Sequence, residues 1–279
     1  MRTLDTKKIE EAVYRLALKA GTTLTDDCVF ALGKAERKES SLPCKFALET
    51  VLKNREIAEE KLMPVCQDTG LAVVLLEIGQ DVFLTGKPLD EAVNEGVKRA
   101  YKDGYFRKSV CDPLTRDNTG DNTPAVIHTE IVSGDEVKLT FMPKGFGSEN
   151  MSRLYMLTPA KGVEGIINAV VETVKLAGSR PCPPVYVGVG IGGSFDTCAF
   201  LSKKALTREV GSANPRADIA AIEAECLKRI NALGIGAQGF KGDVTALGVS
   251  CEVAPTHIAG LPVAVNIQCH CIRVGKVVL

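Results

Sequence analysis

The stretch CPPVYVGVGIGGSF, running from Cys182 to Phe195, decides between two fold classes. VYVGVG reads as a strand. Its glycines fit G-x-G-x-x-G at Gly188, Gly190 and Gly193 with a helix after them, the context of a dinucleotide-binding turn. Such a unit needs a second parallel strand after the helix, ending in an acidic residue that holds a ribose. Here the helix from about Phe195 to Arg208 runs into another, opened by Asn214 and Pro215 and continuing through Leu233, while Glu209 stands in helix-end sequence. Regular βαβ alternation is therefore not expected. The physical part of the motif remains: backbone N–H groups on a glycine-rich turn leading into a helix suit an anion, a carboxylate or cluster-bound ligand as well as a pyrophosphate.

Outward from this stretch, the first sixty residues read as helical. Thr3 or Asp5 can cap a helix carrying Ile9, Ala12, Val13 and Leu16 on one face, and Ser41 followed by Pro43 starts another through Ala47, Val51 and Leu52. A strand, LAVVLLEIG, comes after the CQDTG turn, and a helix runs from Leu89 to Lys102. AVIHTEIV and EVKLTFM flank SGD and read as a hairpin. A helix spans Val163 to Ala177, and strands close the chain at Thr245 to Val253, Val263 to Ile267 and Ile272 to Leu279. Helices grouped early and strands weighted late predict an α+β fold: one compact domain over 1–279, with a helical region at about 1–62 and a mixed region at about 63–279. The terminal GKVVL pattern leaves an apolar strand whose edge another chain could cover, or an ordinary edge strand.

With 279 residues and 45% hydrophobic side chains the chain can bury a substantial core. Thirty-four basic and 34 acidic residues cancel, so no global field favours nucleic acid or an anionic membrane. No apolar run reaches the length of a membrane span, and the amphipathic start predicts a cytoplasmic protein. Ten cysteines without an export signal argue against a disulfide framework. Cys28, Cys44, Cys198 and Cys226 fall in apolar helical patterns and read as small buried hydrophobes. Cys66, Cys182, Cys269 and Cys271 do not; three thiolates from such distant segments would make a metal site with a vacant coordination position.

Several motifs carry chemistry. In PVCQDTG, Pro64 and Gly70 bracket a turn presenting Cys66, Gln67 and Asp68. Asp68 beside a cationic centre could act in proton transfer or bind a substrate hydroxyl; the bland alternative is an Asx turn with a buried thiol. The loop YFRKSVCDPLTRDNTGDNTPAVIH is long and polar, and Arg107 or Arg116 could clamp a carboxylate, or be a solvated charge. PKGFGSENMSRL sets Gly145 and Gly147 ahead of a helix opening near Ser148, an anion-binding turn or a plain capping box. Among the three histidines, His128 reads as a strand residue and His257 lies in a loop before the strand that delivers Cys269. His270 sits between two cysteines; Cys269 and Cys271 share a face, so the residues alone leave open which is a ligand.

Taken in series, PVCQDTG, RDNTGDNTP, KGFGSENMSRL, CPPVYVGVGIGGSFD and NIQCH resemble the iron–sulfur hydro-lyases of the fumarase/tartrate dehydratase type, specifically their α subunit, over nearly the whole chain. The resemblance implies a 4Fe-4S cluster held by Cys66, Cys182 and Cys269, with Cys271 a neighbour, and an open iron acting as Lewis acid. It further implies Gln67 and Asp68 as the catalytic, substrate-side pair and Arg107 as a carboxylate-binding residue. Gly145, Gly147 and His257, twelve positions before Cys269, would be further substrate contacts. Phe146 stands where a third glycine is usual. The base that removes the C3 proton belongs to the β part of the family, so a hetero-oligomer with a β subunit is expected, inactive when that partner is missing. The small dicarboxylate expected is fumarate, interconverted with L-malate, with L-tartrate dehydration as the alternative; a nucleotide-binding oxidoreductase using GVGIGG is the rival from another class.

Overall fold

The computed structural model describes residues 2–279 and is a mixed α+β structure. Its elements are β1 (Arg2–Asp5), α1 (Thr6–Thr22), α2 (Asp26–Lys38), α3 (Leu42–Lys61), β2 (Leu71–Gly79), β3 (Val82–Thr85), α4 (Leu89–Asp103), β4 (Val126–Val132) and β5 (Val137–Lys144). Next come α5 (Phe146–Glu149), β6 (Arg153–Leu157), α6 (Gly162–Ala177), β7 (Val185–Gly192), α7 (Phe195–Ala205), α8 (Ala217–Asn231), β8 (Ala246–Ala254), β9 (Leu261–Gln268) and β10 (Gly275–Val278). Two compact units share the described residues: 2–24, 54–146 and 273–279 form the first, and 25–53 and 147–272 the second. The helical stretch expected at 1–62 thus contributes to both, and it opens on a short strand. No helix of the described residues is long and apolar enough to cross a membrane.

In the first unit Asp5 caps α1, its carboxylate accepting the N–H of Lys7 at 2.8 Å. The α1 face with Ile9, Val13 and Ala17 is buried with Val93 and Val97 of α4 against Val74, Leu76, Leu139 and Phe141. The sheet runs β10-β5-β2-β4, with β2 antiparallel to β5 and parallel to β4. This corrects the expected hairpin: AVIHTEIV and EVKLTFM do not pair, because β2 lies between them. The SGD connection crosses the end of β2, where Gly79 donates to the Glu136 carbonyl at 2.8 Å and Asp81 to that of Gly134 at 3.0 Å. A Cβ on Gly79 would stand 2.3 Å from the Gly134 oxygen, so the crossing needs a glycine there. Burial explains the order: β2 is nearly all buried and takes the interior, whereas β4, with half-exposed His128 and Glu130, takes an edge.

In the second unit the sheet order is β6-β9-β7-β8, with β7 parallel to β8 and antiparallel to β9. Val185, Val187, Val189 and Ile191 share a core with Ile166 and Val170 of α6 and Ile222 and Cys226 of α8. The alternate residues face α7. At Gly188 a Cβ would lie 2.2 Å from the Ser202 carbonyl oxygen, and at Gly190 2.0 Å from that of Cys198. A parallel neighbour of β7 therefore does exist, β8, reached through both α7 and α8. The glycines nonetheless serve close helix–strand packing: the space beside Gly190 that a pyrophosphate would need is filled by α7 backbone. The helix opening expected near Ser148 is the four-residue α5, succeeded by a strand.

Candidate functional site

The turn carrying Cys66 to Gly70 is fixed from both sides within the first unit. Before it, Val65 donates to the Gly21 carbonyl at 3.0 Å and accepts from the Asn54 amide at 2.9 Å. After it, the buried Tyr101 hydroxyl donates to the carbonyls of Thr69 at 2.7 Å and Gly70 at 2.9 Å, and Asn122, fully buried, donates to Gly70 at 3.1 Å. Asp68 does form an Asx turn, accepting from the Gly70 N–H at 3.1 Å, but its second oxygen reaches further and accepts from Phe146 at 2.8 Å. The KGFG segment is thereby joined to the CQD turn. A Cβ on Gly145 would come within 3.1 Å of that second oxygen. Cys66 is half-buried and Gln67 exposed, its side-chain oxygen 3.5 Å from the Cys66 sulfur.

Two buried cations lie in the same unit, Lys144 and Arg273, each 1% exposed. Lys144 donates to the Gly145 carbonyl at 3.4 Å, and Arg273 donates to the carbonyl of Asp68 at 3.0 Å. Burial drives the Tyr101 hydroxyl pKa well above the ordinary tyrosine range, with the Arg273 charge opposing and the Asp68 charge adding. Arg107 is exposed, and its carbonyl accepts the Thr69 hydroxyl at 2.6 Å, so its backbone is moored beside the Asp68 turn. The long polar loop after it is pinned by its own side chains. Asn122 accepts from Ser109 at 2.7 Å, Asn118 donates to Lys108 at 3.0 Å, and the N–H groups of Thr115 and Leu114 hold the Asp112 carboxyl below its ordinary pKa. Arg116 lies at its exposed tip.

In the second unit the backbones of Cys182 and His270 meet. Cys182 is exposed and takes a positive φ of 54°. Its carbonyl lies 2.9 Å from His270 Nδ1, and the same ring nitrogen lies 3.2 Å from the Gln238 side-chain nitrogen. Gln238 donates to the neighbouring Pro183 carbonyl through its backbone at 2.8 Å and its side chain at 3.1 Å. Cys269, half-buried, comes directly after β9, whereas Cys271 is buried. The strand delivering Cys269 is tied to the GSEN segment: Glu149 pairs with Lys203 at 2.5 Å and accepts from Asn266 at 3.1 Å. His257 is exposed, and its loop is held to the glycine turn by Thr256 donating to Gly193 at 2.8 Å. Gly147 is exposed, its Cβ position 4.0 Å from the Arg180 carbonyl.

The turn into α7 is no open anion site. Asp196 occupies it with its own carboxylate: the Ser194 hydroxyl, at 2.5 Å, and the N–H groups of Asp196 and Thr197 hold that carboxyl below its ordinary pKa.

The thiols separate into two chemical classes. Burial pushes Cys28 and Cys226 up to about 12, and raises Cys251 and Cys198 as well. Such groups stay protonated at neutral pH in the metal-free fold. Cys66, Cys182 and Cys269 are accessible, two half-buried and one exposed, and so is the half-buried Cys111 of the long polar loop. Soft, accessible sulfur donors on turns fit an iron–sulfur group. Among the described residues no group of three or more His, Cys, Asp or Glu side chains gathers to hold a metal, so this fit is one of donor chemistry. Sequence reading missed Tyr101, Lys144, Arg273 and the Glu149–Lys203–Asn266 link. The lone arginine in the apolar run CIRVGKVVL was the available signal for Arg273.

Comparison with known proteins adds a family and relatives. The family model described as fumarate hydratase (fumerase) matches residues 10–278. A putative L(+)-tartrate dehydratase subunit alpha of Methanocaldococcus jannaschii is 44% identical over 268 residues, covering 94% of each chain. The L(+)-tartrate dehydratase subunits alpha of Escherichia coli K12 and Shigella sonnei are each 32% identical over 276 residues, covering 98% of this chain and 91% of theirs. These relatives carry the tartrate name, the alternative to fumarate among the substrates expected from the sequence.

Proposed function

Because this chain belongs to the fumarate hydratase (fumerase) family of hydro-lyases, we propose that it is the α subunit of an L-tartrate dehydratase, working with a β subunit. The observation that carries the choice of substrate is the tartrate name on relatives that match nearly end to end, the first at 44% identity. Cys66, Cys182 and Cys269 would hold a 4Fe-4S cluster, which when bound supplies a Lewis-acidic iron with one position left for substrate.

This chain's own residues do the rest of its share. Arg107, exposed beside the Asp68 turn, takes a substrate carboxylate through its planar fork of donors. Asp68 exchanges the proton at the hydroxyl that departs as water; its oxygens already hold the N–H groups of Gly70 and Phe146, which fixes the direction of its remaining lone pairs. Gln67 orients the same hydroxyl from its exposed position, and Gly145 keeps the carboxylate free of a side chain. His257 and Gly147 contribute further contacts. The base that takes the carbon-bound proton comes from the β subunit. Loss of water from a vicinal dihydroxy diacid leaves an enol, which becomes a 2-oxo diacid.

Turnover of L-tartrate, fumarate and L-malate by the chain assembled with its β subunit under anaerobic conditions is the test. Release of the 2-oxo diacid from L-tartrate is expected; hydration of fumarate without attack on tartrate would overturn the proposal. The fumarate reading remains the second, favoured by the family model's own description and by the NTGDNTP and GSEN segments. The oxidoreductase reading has lost its physical basis, since Asp196 fills the turn and α7 packs on Gly190.

A further inference from the structure

Arg273 is among the largest fully buried side chains of the molecule, and neither the sequence motifs nor the reaction assigns it a task. Burying a guanidinium is costly unless its donors are used, so its position asks for a reason. One donor bonds the main-chain oxygen of Asp68 at 3.0 Å. The same terminal nitrogen lies 3.9 Å from where a Cβ on Gly145 would stand. Arg273 therefore bonds the turn that contains the Asp68 carboxylate and lies beside the KGFG segment that donates to it from Phe146. Strand pairing sets its reach. Arg273 leads into β10, whose Gly275 pairs with Phe141 of β5, and β5 runs directly into Lys144 and Gly145. The Tyr101 hydroxyl grips the next two carbonyls of the turn, those of Thr69 and Gly70. Three successive carbonyls are thus bound by the buried side chains of Arg273 and Tyr101, with buried Asn122 also donating to the last.

We propose that Arg273 is a positioning residue for Asp68: its buried guanidinium fixes the Asp68 carbonyl, and with it the direction in which the carboxylate is presented between the N–H groups of Gly70 and Phe146. Arginine suits this better than lysine because a rigid planar fork restrains orientation, whereas an ammonium on a flexible stem supplies charge without it. The kinetic consequence rests on the hydro-lyase reading; the geometric one does not.

The test uses the chain assembled with its β subunit, with Arg273→Lys, Arg273→Met, Tyr101→Phe and the Arg273→Lys/Tyr101→Phe double variant. A misplaced catalytic group slows the chemical step, so kcat should fall about 10-fold for lysine and about 100-fold for methionine, with KM within about twofold and iron per chain unchanged. The double variant should lose less than the product of its single losses, because both side chains act through one turn. In the isolated chain, hydrogen exchange at the Gly70 and Phe146 amides should quicken at least about 10-fold in Arg273→Lys, with the amides of β2 and β5 unchanged. Unchanged exchange at those two amides, multiplicative losses in the double variant, or a raised KM at constant kcat would each overturn the proposal. If Arg273→Met does not fold, the lysine variant and the double variant still decide. If the parent assembly turns over none of the three acids, the functional reading fails and the exchange measurement judges the positioning role alone.

Discussion

Gly145 sits where any side chain would press on the carboxylate it faces, since a Cβ there lies 3.1 Å from one Asp68 oxygen and 3.5 Å from its carboxyl carbon. Gly145→Ala should leave the fold intact, because the conflict is with a side chain that can yield, yet turn Asp68 away from Phe146. The expected loss is about 10- to 100-fold in kcat, with a change of less than about 1 kcal/mol in the urea-unfolding free energy. Wild-type kcat in the alanine variant would remove the reason given for this glycine. The choice between the two cysteines of CHC belongs to the same scale. Cys269 is half-buried at the end of β9, and Cys271 is buried with its carbonyl taking the Gln268 amide at 2.9 Å. Cys269→Ser should abolish iron and sulfide retention after anaerobic reconstitution, and Cys271→Ser should keep most of both. The reverse pattern would mean that the buried thiol is the ligand.

Among the elements, the contact of α7 with β7 makes the sharpest demand, because what meets the glycines is backbone that cannot rotate away. Gly190→Ala should destabilise the chain by at least about 2 kcal/mol in urea. Gly33→Ala, inside α2 and meeting only the flexible end of Arg37 at 3.5 Å, should stabilise it by about 0.5 to 1 kcal/mol through helix propensity. Equal effects from the two substitutions would show that the close packing is not the cause. This contact also shows how far the sequence reads. The strand VYVGVG and the helix after it were legible from alternation and from the helical spacing, as were α1, α4 and α6. Which strand neighbours which was not: periodicity tells the face of a strand and not its partner, so β4 and β5 read as a hairpin although β2 runs between them. The site divides in the same way. Pro64 and Gly70 mark the turn that presents Cys66, Gln67 and Asp68, and that turn is where expected. Tyr101 and Arg273, which hold it from 32 and 205 residues away, look in sequence like an ordinary helix aromatic and a stray basic residue.

Over the whole molecule a set of buried thiols and phenols shifts in one direction. Burial pushes Cys28, Cys226 and Tyr186 up to about 12 from ordinary values of 9.0 for the thiols and 10.0 for the phenol, and it drives Cys251 and Tyr101 higher still. Each is a group that folding keeps protonated. Below pH 9.0 both folded and unfolded chains hold the thiol protons and the stability is fully present. Between there and about 12 the unfolded chain gives up protons that the folded one retains, so stability falls as pH rises. Each group contributes a slope of about 1.4 kcal/mol per pH unit within its own window. Four of the five lie in the second unit, Tyr101 alone in the first, so the second should give way at lower alkali. Urea midpoints measured under reductant from pH 8 to 11 should hold to about pH 9 and decline above it, with near-ultraviolet signals of Tyr186 changing before those of Tyr101. Cys226→Ala removes one proton from the count and should flatten the decline by about 1.4 kcal/mol per pH unit above pH 9, whatever it does to the stability at pH 8. A midpoint that stays level to pH 11, or a decline untouched by Cys226→Ala, would mean that these thiols are not held protonated by the fold.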